Sequence, residues 1–255
     1  MLMSTDSTTS GSATSGATPS GSAGGPLAPD LLALLDGVAT ATLSAALRAR
    51  GYTDIFIEGA RALRPGARMV GVARTLRFVA FRPDLFAEHG GGFNAQKRVF
   101  DTVNPGEVIV IEARGEPGTG TVGDVLALRA QTRGAAGIVT DGGVRDAEQV
   151  ASFEIPTFAR GAHPSVLGRR HVPWESDVVI TCGGAAVCPG DVIVGDGDGV
   201  IVIARQLADE IAAQAAEQEK RDAWIADRVA EGESLDGLFP MNERWRARYE
   251  GRSTD

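Results

Sequence analysis

The run GDVLALRAQTRGAAGIVTDGGVRD, from Gly123 to Asp146, constrains the fold of this chain more than any other stretch. Its segment from Val125 to Arg133 carries apolar residues that fit a short helix. Asp124 suits the N-cap, and Gly134 stands where a C-terminal glycine would end the helix. Gly137-Ile-Val-Thr-Asp141 follows as a β-rich run, closed by Gly142-Gly143. A helix of about nine residues runs roughly 14 Å, and a strand of about five residues returns about 16 Å. The loop from Gly142 to Asp146 is therefore expected beside the helix start at Asp124.

Such a corner gathers two carboxylates, a guanidinium and a helix N-terminus. After Gly123, the N–H groups of Val125 and Leu126, with the positive end of the helix dipole, form an anion site. Arg145 adds a bidentate clamp for a carboxylate. Asp146, with Asp124 nearby, offers oxygen ligands to a hard divalent cation such as Mg²⁺. Together these suit a 2-keto acid. On the residues alone a second reading stays open, in which Asp124 only caps a helix and Arg145 and Asp146 form a surface pair.

The 255 residues can bury one large core or two modest ones. A formal net charge of −8 argues against a nucleic-acid surface driven by bulk electrostatics. Cys182 and Cys188 are too few for a disulfide scaffold and lack zinc-site spacing, so reduced, partly buried thiols are expected. No apolar run approaches the ~20 residues of a membrane helix, and a cytoplasmic protein is expected. Met1 to Pro29 is a Ser/Thr/Gly/Ala-rich tract without a secretory pattern, expected to be disordered, ahead of one domain from residue 30 to 255.

Along that domain, Asp30–Arg50 reads as one helix, with Leu31, Leu34, Leu35, Leu43 and Leu47 at helical spacing. Ala67–Phe81 reads as one or two strands, Pro83–Phe93 as a loop ending near Gly90-Gly-Gly92, and Asn94–Val103 as a helix. Glu107–Ala113, Ile155–Phe158 and Asp177–Thr181 read as strands, and a short helix is expected after Asp146. His163 and His171 flank a loop and lack the spacing of a helical metal pair. Val192–Val194 and Val200–Ile203 bracket Gly195-Asp-Gly-Asp-Gly199; this lacks the glutamate of a calcium loop and reads as a tight hairpin. A long polar helix is expected from about residue 206 to Ala230.

Asp124 and Arg145 have 145 − 124 − 1 = 20 residues between them, and Asp146 follows directly. This resembles the D-x20-R-D motif of the RraA-like family, which holds metal-dependent 4-hydroxy-4-methyl-2-oxoglutarate (HMG/CHA) aldolases and regulators of ribonuclease activity A. The resemblance runs from about Asp36 to Asp236 and takes in Pro189-Gly-Asp191 and Gly195-Asp-Gly-Asp-Gly-Val200. It implies a single α/β domain of the swivelling β/β/α kind, with a barrel-like mixed β core flanked by helices, assembled as a homotrimer or hexamer.

The resemblance also implies a class II-type, metal-dependent carbon–carbon lyase using Mg²⁺ or Mn²⁺. Its reaction would be retro-aldol cleavage of a 4-hydroxy-2-oxoglutarate-type substrate to pyruvate, or oxaloacetate decarboxylation. Arg145 would then anchor the substrate with the backbone at Gly123, Val125 and Leu126, Asp146 would bind the metal, and Asp124 would hold it through a water. Glu219, with Glu217 near it, is the candidate for a C-terminal glutamate that reaches metal-bound waters of the neighbouring subunit. Thr40-Ala-Thr-Leu-Ser-Ala45 resembles the family's N-terminal helix, although Ala45 stands where an aspartate is expected. The alternative carried by the same family is a non-catalytic regulator that binds and inhibits ribonuclease E. Schiff-base chemistry finds no support, because the only lysines, Lys97 and Lys220, sit among polar residues of solvated helices. No strand–Gly-x-Gly–helix unit for a nucleoside cofactor is present, so the methyltransferase label also attached to this family has no support.

Overall fold

A computed structural model describes residues 24–251. In chain order, helices α1 (Pro29–Asp36) and α2 (Thr40–Arg48) lead to β1 (Arg61–Ala62) and the long strand β2 (Met69–Ala80). Helices α3 (Pro83–His89) and α4 (Ala95–Thr102) precede β3 (Glu107–Glu112) and β4 (Gly120–Val122). Next come α5 (Asp124–Thr132), β5 (Gly137–Thr140), β6 (Gly143–Val144) and α6 (Ala147–Ser152). Strands β7 (Thr157–Ala159), β8 (Gly161–Ala162), β9 (His171–Ser176), β10 (Ile180–Cys182) and β11 (Ala185–Val187) follow. The hairpin β12 (Val192–Gly195) and β13 (Val200–Ile203) leads through a 3-10 turn into α7 (Ala208–Ala230) and finally α8 (Glu243–Glu250).

The main sheet runs β1-β7-β5-β3-β2-β12-β13, with β9 also on β2, and is barrel-like with helices around it. β2 makes this possible by serving two partners along one edge. Its first residues pair with β12 and its last with β9, both antiparallel, while β3 lies parallel on the other side. The β-branched runs EVIVIE and VIVI are buried along nearly their whole length, as strands covered on both faces must be. Within the sheet Val108, Val110 and Val139 pack with Phe158 and Ile193; outside it Ile109, Ile111 and Ile138 meet Phe100, Ala127 and Ala130 of α4 and α5. Truncating one of these, such as Ile138→Ala, would cost about 2–5 kcal/mol in lost burial and cavity formation.

Several expectations need correction. Asp30–Arg50 is two helices, bent by 104° at Gly37–Ala39. The bend places the N-terminus of α2 against two carboxylates from distant segments. Asp196 of the β12–β13 loop accepts from Thr40 N (2.8 Å) and Thr40 Oγ1 (2.7 Å). Glu219 of α7 accepts from Ala39 N (3.1 Å) and Thr42 Oγ1 (2.7 Å). Both satisfy orphan donors and complement the helix dipole. Burial acts to raise the Asp196 carboxyl, but the Thr40 and Asp198 donors with the Arg68 cation outweigh it and hold it below its ordinary value.

The expected Pro83–Phe93 loop contains α3, whose Pro83 sits at the first helical turn where a missing N–H is harmless. The expected strand at Asp177–Thr181 begins only at Ile180, and the strand ahead of it is β9. His163 and His171 flank a loop as expected, and His171, the first residue of β9, is fully buried. Cys182 is buried and Cys188 exposed, both as free thiols. Helix α8, which was not anticipated, packs Trp245 and Tyr249 against Trp224 of α7. Most of the expected disordered tract, residues 1–23, lies outside the described residues. No single described helix is long and apolar enough to cross a membrane.

Candidate active site

The corner forms as the segment lengths predict. β4, β6 and β8 make a small parallel ribbon, with Gly120 opposite Gly143 and Val122 opposite Val144. Arg145 N then donates to Val122 O at 2.8 Å, which pins Arg145 beside Gly123 and the start of α5. Two glycines permit this approach. A Cβ on Gly143 would lie 2.5 Å from Pro117 O, and one on Gly120 would lie 2.2 Å from Arg145 Cγ. Gly120 therefore supplies the groove in which the Arg145 stem rests. Nothing in the spacing of charged residues pointed to it, although a glycine opening a short strand is a sign of close approach.

Above the ribbon lies a cavity of about 440 Å³ lined by Gly123, Asp124, Val125, Leu126, Arg145 and Asp146. Asn94, Gln96 and Lys97 of the α4 turn line it as well. Every cavity residue of the expected site is thus brought together within one chain; Glu219, expected to reach a neighbouring subunit, has its Oε1 on the N-terminus of α2 of its own chain. Glu217 is exposed and pairs with Lys220 at 2.5 Å.

Local geometry leaves the charged groups unspent. Among the described residues, no N–H donor of the Arg145 side chain makes a hydrogen bond, and its buried Nε is orphaned. Its Nη2 lies 3.6 Å from Asp146 Oδ2, a loose ion pair beyond hydrogen-bond reach. Asp146 holds the N-cap position of α6, yet its side chain caps nothing, and its backbone is left-handed at φ 51°. Forgoing the cap costs about 1 kcal/mol and the left-handed backbone about 1–2 kcal/mol. A carboxylate kept in that state is available for another partner, and its Oδ2 faces Gly123, 3.1 Å from where a Cβ would stand.

The start of α5 differs from expectation. Gly123 is the N-cap residue and Asp124 the first helical one. Asp124 Oδ1 accepts from Val125 N at 2.8 Å, so the Val125 N–H is not open to a ligand. A carboxylate flexible enough to fold onto the next N–H takes that donor first. Leu126 N–H, one residue further, has no partner among the described residues.

A hard cation fits this donor set in only one way. Among the described residues no cluster of three or more His, Cys, Asp or Glu is arranged to hold a metal. Two carboxylates at one cavity lip, one without any hydrogen bond, suit an ion that keeps most of its water, the habit of Mg²⁺. They do not suit a closed tetrahedral zinc site.

Comparison with known proteins gives the family. The family described as RraA-like (aldolase/RraA) matches residues 40–202, which span the whole corner and stop short of α7 and α8. A protein of Halalkalibacterium halodurans, provisionally named a 4-hydroxy-4-methyl-2-oxoglutarate aldolase, is 33% identical over 171 residues, 66% of this chain and 76% of its own. The crystal structure of Streptomyces coelicolor RraAS2, described as an unusual member of the RNase ES inhibitor RraA protein family, is 34% identical with a TM-score of 0.71. That similarity covers 78% of this chain and 96% of the other. An uncharacterized protein of Pseudomonas syringae pv. tomato is 28% identical with a TM-score of 0.76, covering 86% of this chain and 96% of its own.

Proposed function

From the premise that the chain belongs to the RraA-like family of aldolases and RraA proteins, we propose that it is a divalent-metal-dependent carbon–carbon lyase acting on a 2-keto acid. The reaction is retro-aldol cleavage of a 4-hydroxy-2-oxoglutarate-type substrate to pyruvate, decarboxylation of oxaloacetate, or both. One observation carries the reading. Arg145, whose side chain makes no hydrogen bond among the described residues, and an N-cap Asp146 that caps nothing share one cavity with Asp124.

Arg145 binds the substrate carboxylate through its unspent donors, and Leu126 N–H adds a backbone donor at the positive end of α5. The stem of Arg145 lies fixed across Gly120, so the bound acid is held in one orientation. Asp146 and Asp124 would hold a cation such as Mg²⁺ or Mn²⁺, which supplies polarisation of the keto oxygen when bound. Bond cleavage leaves the electron pair on the pyruvyl methylene carbon as an enolate, and the departing portion leaves as a carbonyl compound or as carbon dioxide. Arg145 offsets the charge that develops. Asp124, with Oδ1 tied to Val125 N, turns Oδ2 to a water that takes the hydroxyl proton in the retro-aldol cleavage and, in either reaction, gives a proton to the methylene carbon of the enolate.

An exposed apolar rim supports assembly across this face. Val125, Leu128, Phe93 and Val166 stand 73%, 48%, 57% and 59% exposed, and two of them line the cavity. A homotrimer or hexamer would cover them.

A second reading, a non-catalytic regulator of a ribonuclease, draws on the Streptomyces relative. One assay separates the two. Pyruvate release from oxaloacetate and from 4-hydroxy-4-methyl-2-oxoglutarate is followed with Mg²⁺ or Mn²⁺ and with EDTA, less the metal-only background. The lyase shows EDTA-sensitive turnover that falls at least about 100-fold in Arg145→Ala, and Asp146→Ala loses the response to metal. Absence of turnover above background on both acids favours the regulator.

A further inference from the structure

The cavity is larger than a pyruvyl anchor requires. Its volume is about 440 Å³, whereas one water's share of liquid is about 30 Å³, and a three-carbon keto acid displaces only a few waters. Beside the residues of the Arg145 corner, the lining includes the turn before α4 and the first turn of that helix. Asn94 is engaged in holding the turn: its Oδ1 accepts from Lys97 N at 3.1 Å, and its Nδ2 donates to Gly90 O at 2.8 Å. Gln96 is buried with its amide donating to Thr121 O. Lys97 brings the charged donor of this wall, and its ammonium gives one of its three donors, to Gly92 O at 2.5 Å.

Charge points the same way. The titratable residues lining the cavity are Lys97, Arg145, Asp124 and Asp146, which sum to zero. With a divalent cation on the aspartates, the cavity gains two positive charges and matches a dianion. The position of Lys97 adds to this. It is the third residue of α4, where the helix dipole disfavours a cation, so the helix itself gains nothing from the charge.

We propose that Lys97 is the specificity-determining residue that binds the second carboxylate of such dicarboxylic 2-keto acids. This rests on the keto-acid reading of the same site. A merely structural role, tying down the loop at Gly92, makes a different prediction.

The test is calorimetric binding of 2-oxoglutarate and of 2-oxobutyrate in the presence of Mg²⁺, to wild type, Lys97→Met and Lys97→Arg. Wild type should prefer the dicarboxylate by about tenfold or more, the value of one hydrogen bond between charged groups. Lys97→Met should lose that preference while binding 2-oxobutyrate as before, and Lys97→Arg should regain most of it. The assignment is overturned if wild type shows no preference, if Lys97→Met keeps it, or if both affinities fall together. Binding of neither acid would sink the keto-acid reading and this inference together. Selective dicarboxylate binding without pyruvate release would sink only the lyase chemistry.

Discussion

The substitution Gly120→Ala tests whether the position of Arg145, rather than its presence, governs the site. A Cβ at this position lies 2.2 Å from Arg145 Cγ, 3.0 Å from Cδ and 3.1 Å from Cβ. Carbon atoms at rest stand about 3.5–4.0 Å apart, so Cγ must retreat by more than an ångström. It has little freedom to do so, because Arg145 N is bonded to Val122 O and the backbone cannot follow. The guanidinium therefore swings off the cavity lip. Displacing a substrate-positioning group by about 1 Å costs about 100-fold in rate, and overpacking costs about 1–3 kcal/mol. For a domain of this size that lowers Tm by about 2–4 °C per kcal/mol. The expected variant is folded, modestly less stable, and reduced about 100-fold in kcat/KM for oxaloacetate, close to Arg145→Ala. Turnover and Tm are measured on the same preparation. A folded Gly120→Ala protein with wild-type kcat/KM would refute the reasoning, since Arg145 would then tolerate displacement.

Two further outcomes are expected. His171 is fully buried with neither ring nitrogen hydrogen-bonded; burial, with Arg114 and Arg170 nearby, pushes its pKa down to about 4. The folded protein keeps the ring neutral while the unfolded chain, near the ordinary 6.5, takes up a proton. Stability from this group is thus full above pH 6.5, falls as pH drops towards about 4, and levels off below that. His171→Leu should flatten this limb in a Tm-against-pH series, and an unchanged slope would contradict the assignment. Second, Val125→Asp places a charge on the most exposed apolar position of the rim. Light scattering should show a smaller assembly than wild type, and an unaltered mass would remove this face from the interface.

Much of the corner was legible because it depends on segment lengths and backbone chemistry. A helix out, a strand back and a Gly-Gly turn leave little choice about where Arg145 falls, and buried strands such as β3 announce themselves by β-branched runs. What stayed hidden depends on contacts between distant residues. Glu219 and Ala39 are 180 positions apart, and no periodicity in α7 tells that this carboxylate caps α2. β9 contains Pro173 and mixed polar residues, and it pairs with β2 across a register shift at Arg77/Phe78, so its pattern never reads as clean alternation. The missing open donor at Val125 is a rotamer choice by Asp124 that spacing cannot encode. Helix α3 is masked in the sequence by the glycine run after it, although a proline followed by Asp84 in the first turn marks its start.

The spacing between Asp124 and Arg145 acquires a physical meaning from this fold. α5 carries the chain away from the cavity, β5 brings it back through the sheet, and β6 docks beside β4, the strand that ends where α5 begins. The hydrogen bond from Arg145 N to Val122 O closes that circuit one residue before Gly123. One residue more or fewer before β5 would shift the register of a strand whose side chains alternate by two, turning Arg145 away from the cavity. The interval is therefore a measured length of helix and strand, and the two carboxylates share a lip because the backbone, not a side-chain network, brings them there. Glu219 fits the same logic from the other side. Its carboxylate sits where a helix N-terminus needs charge, and replacing it would disturb α2 and its packing on α7.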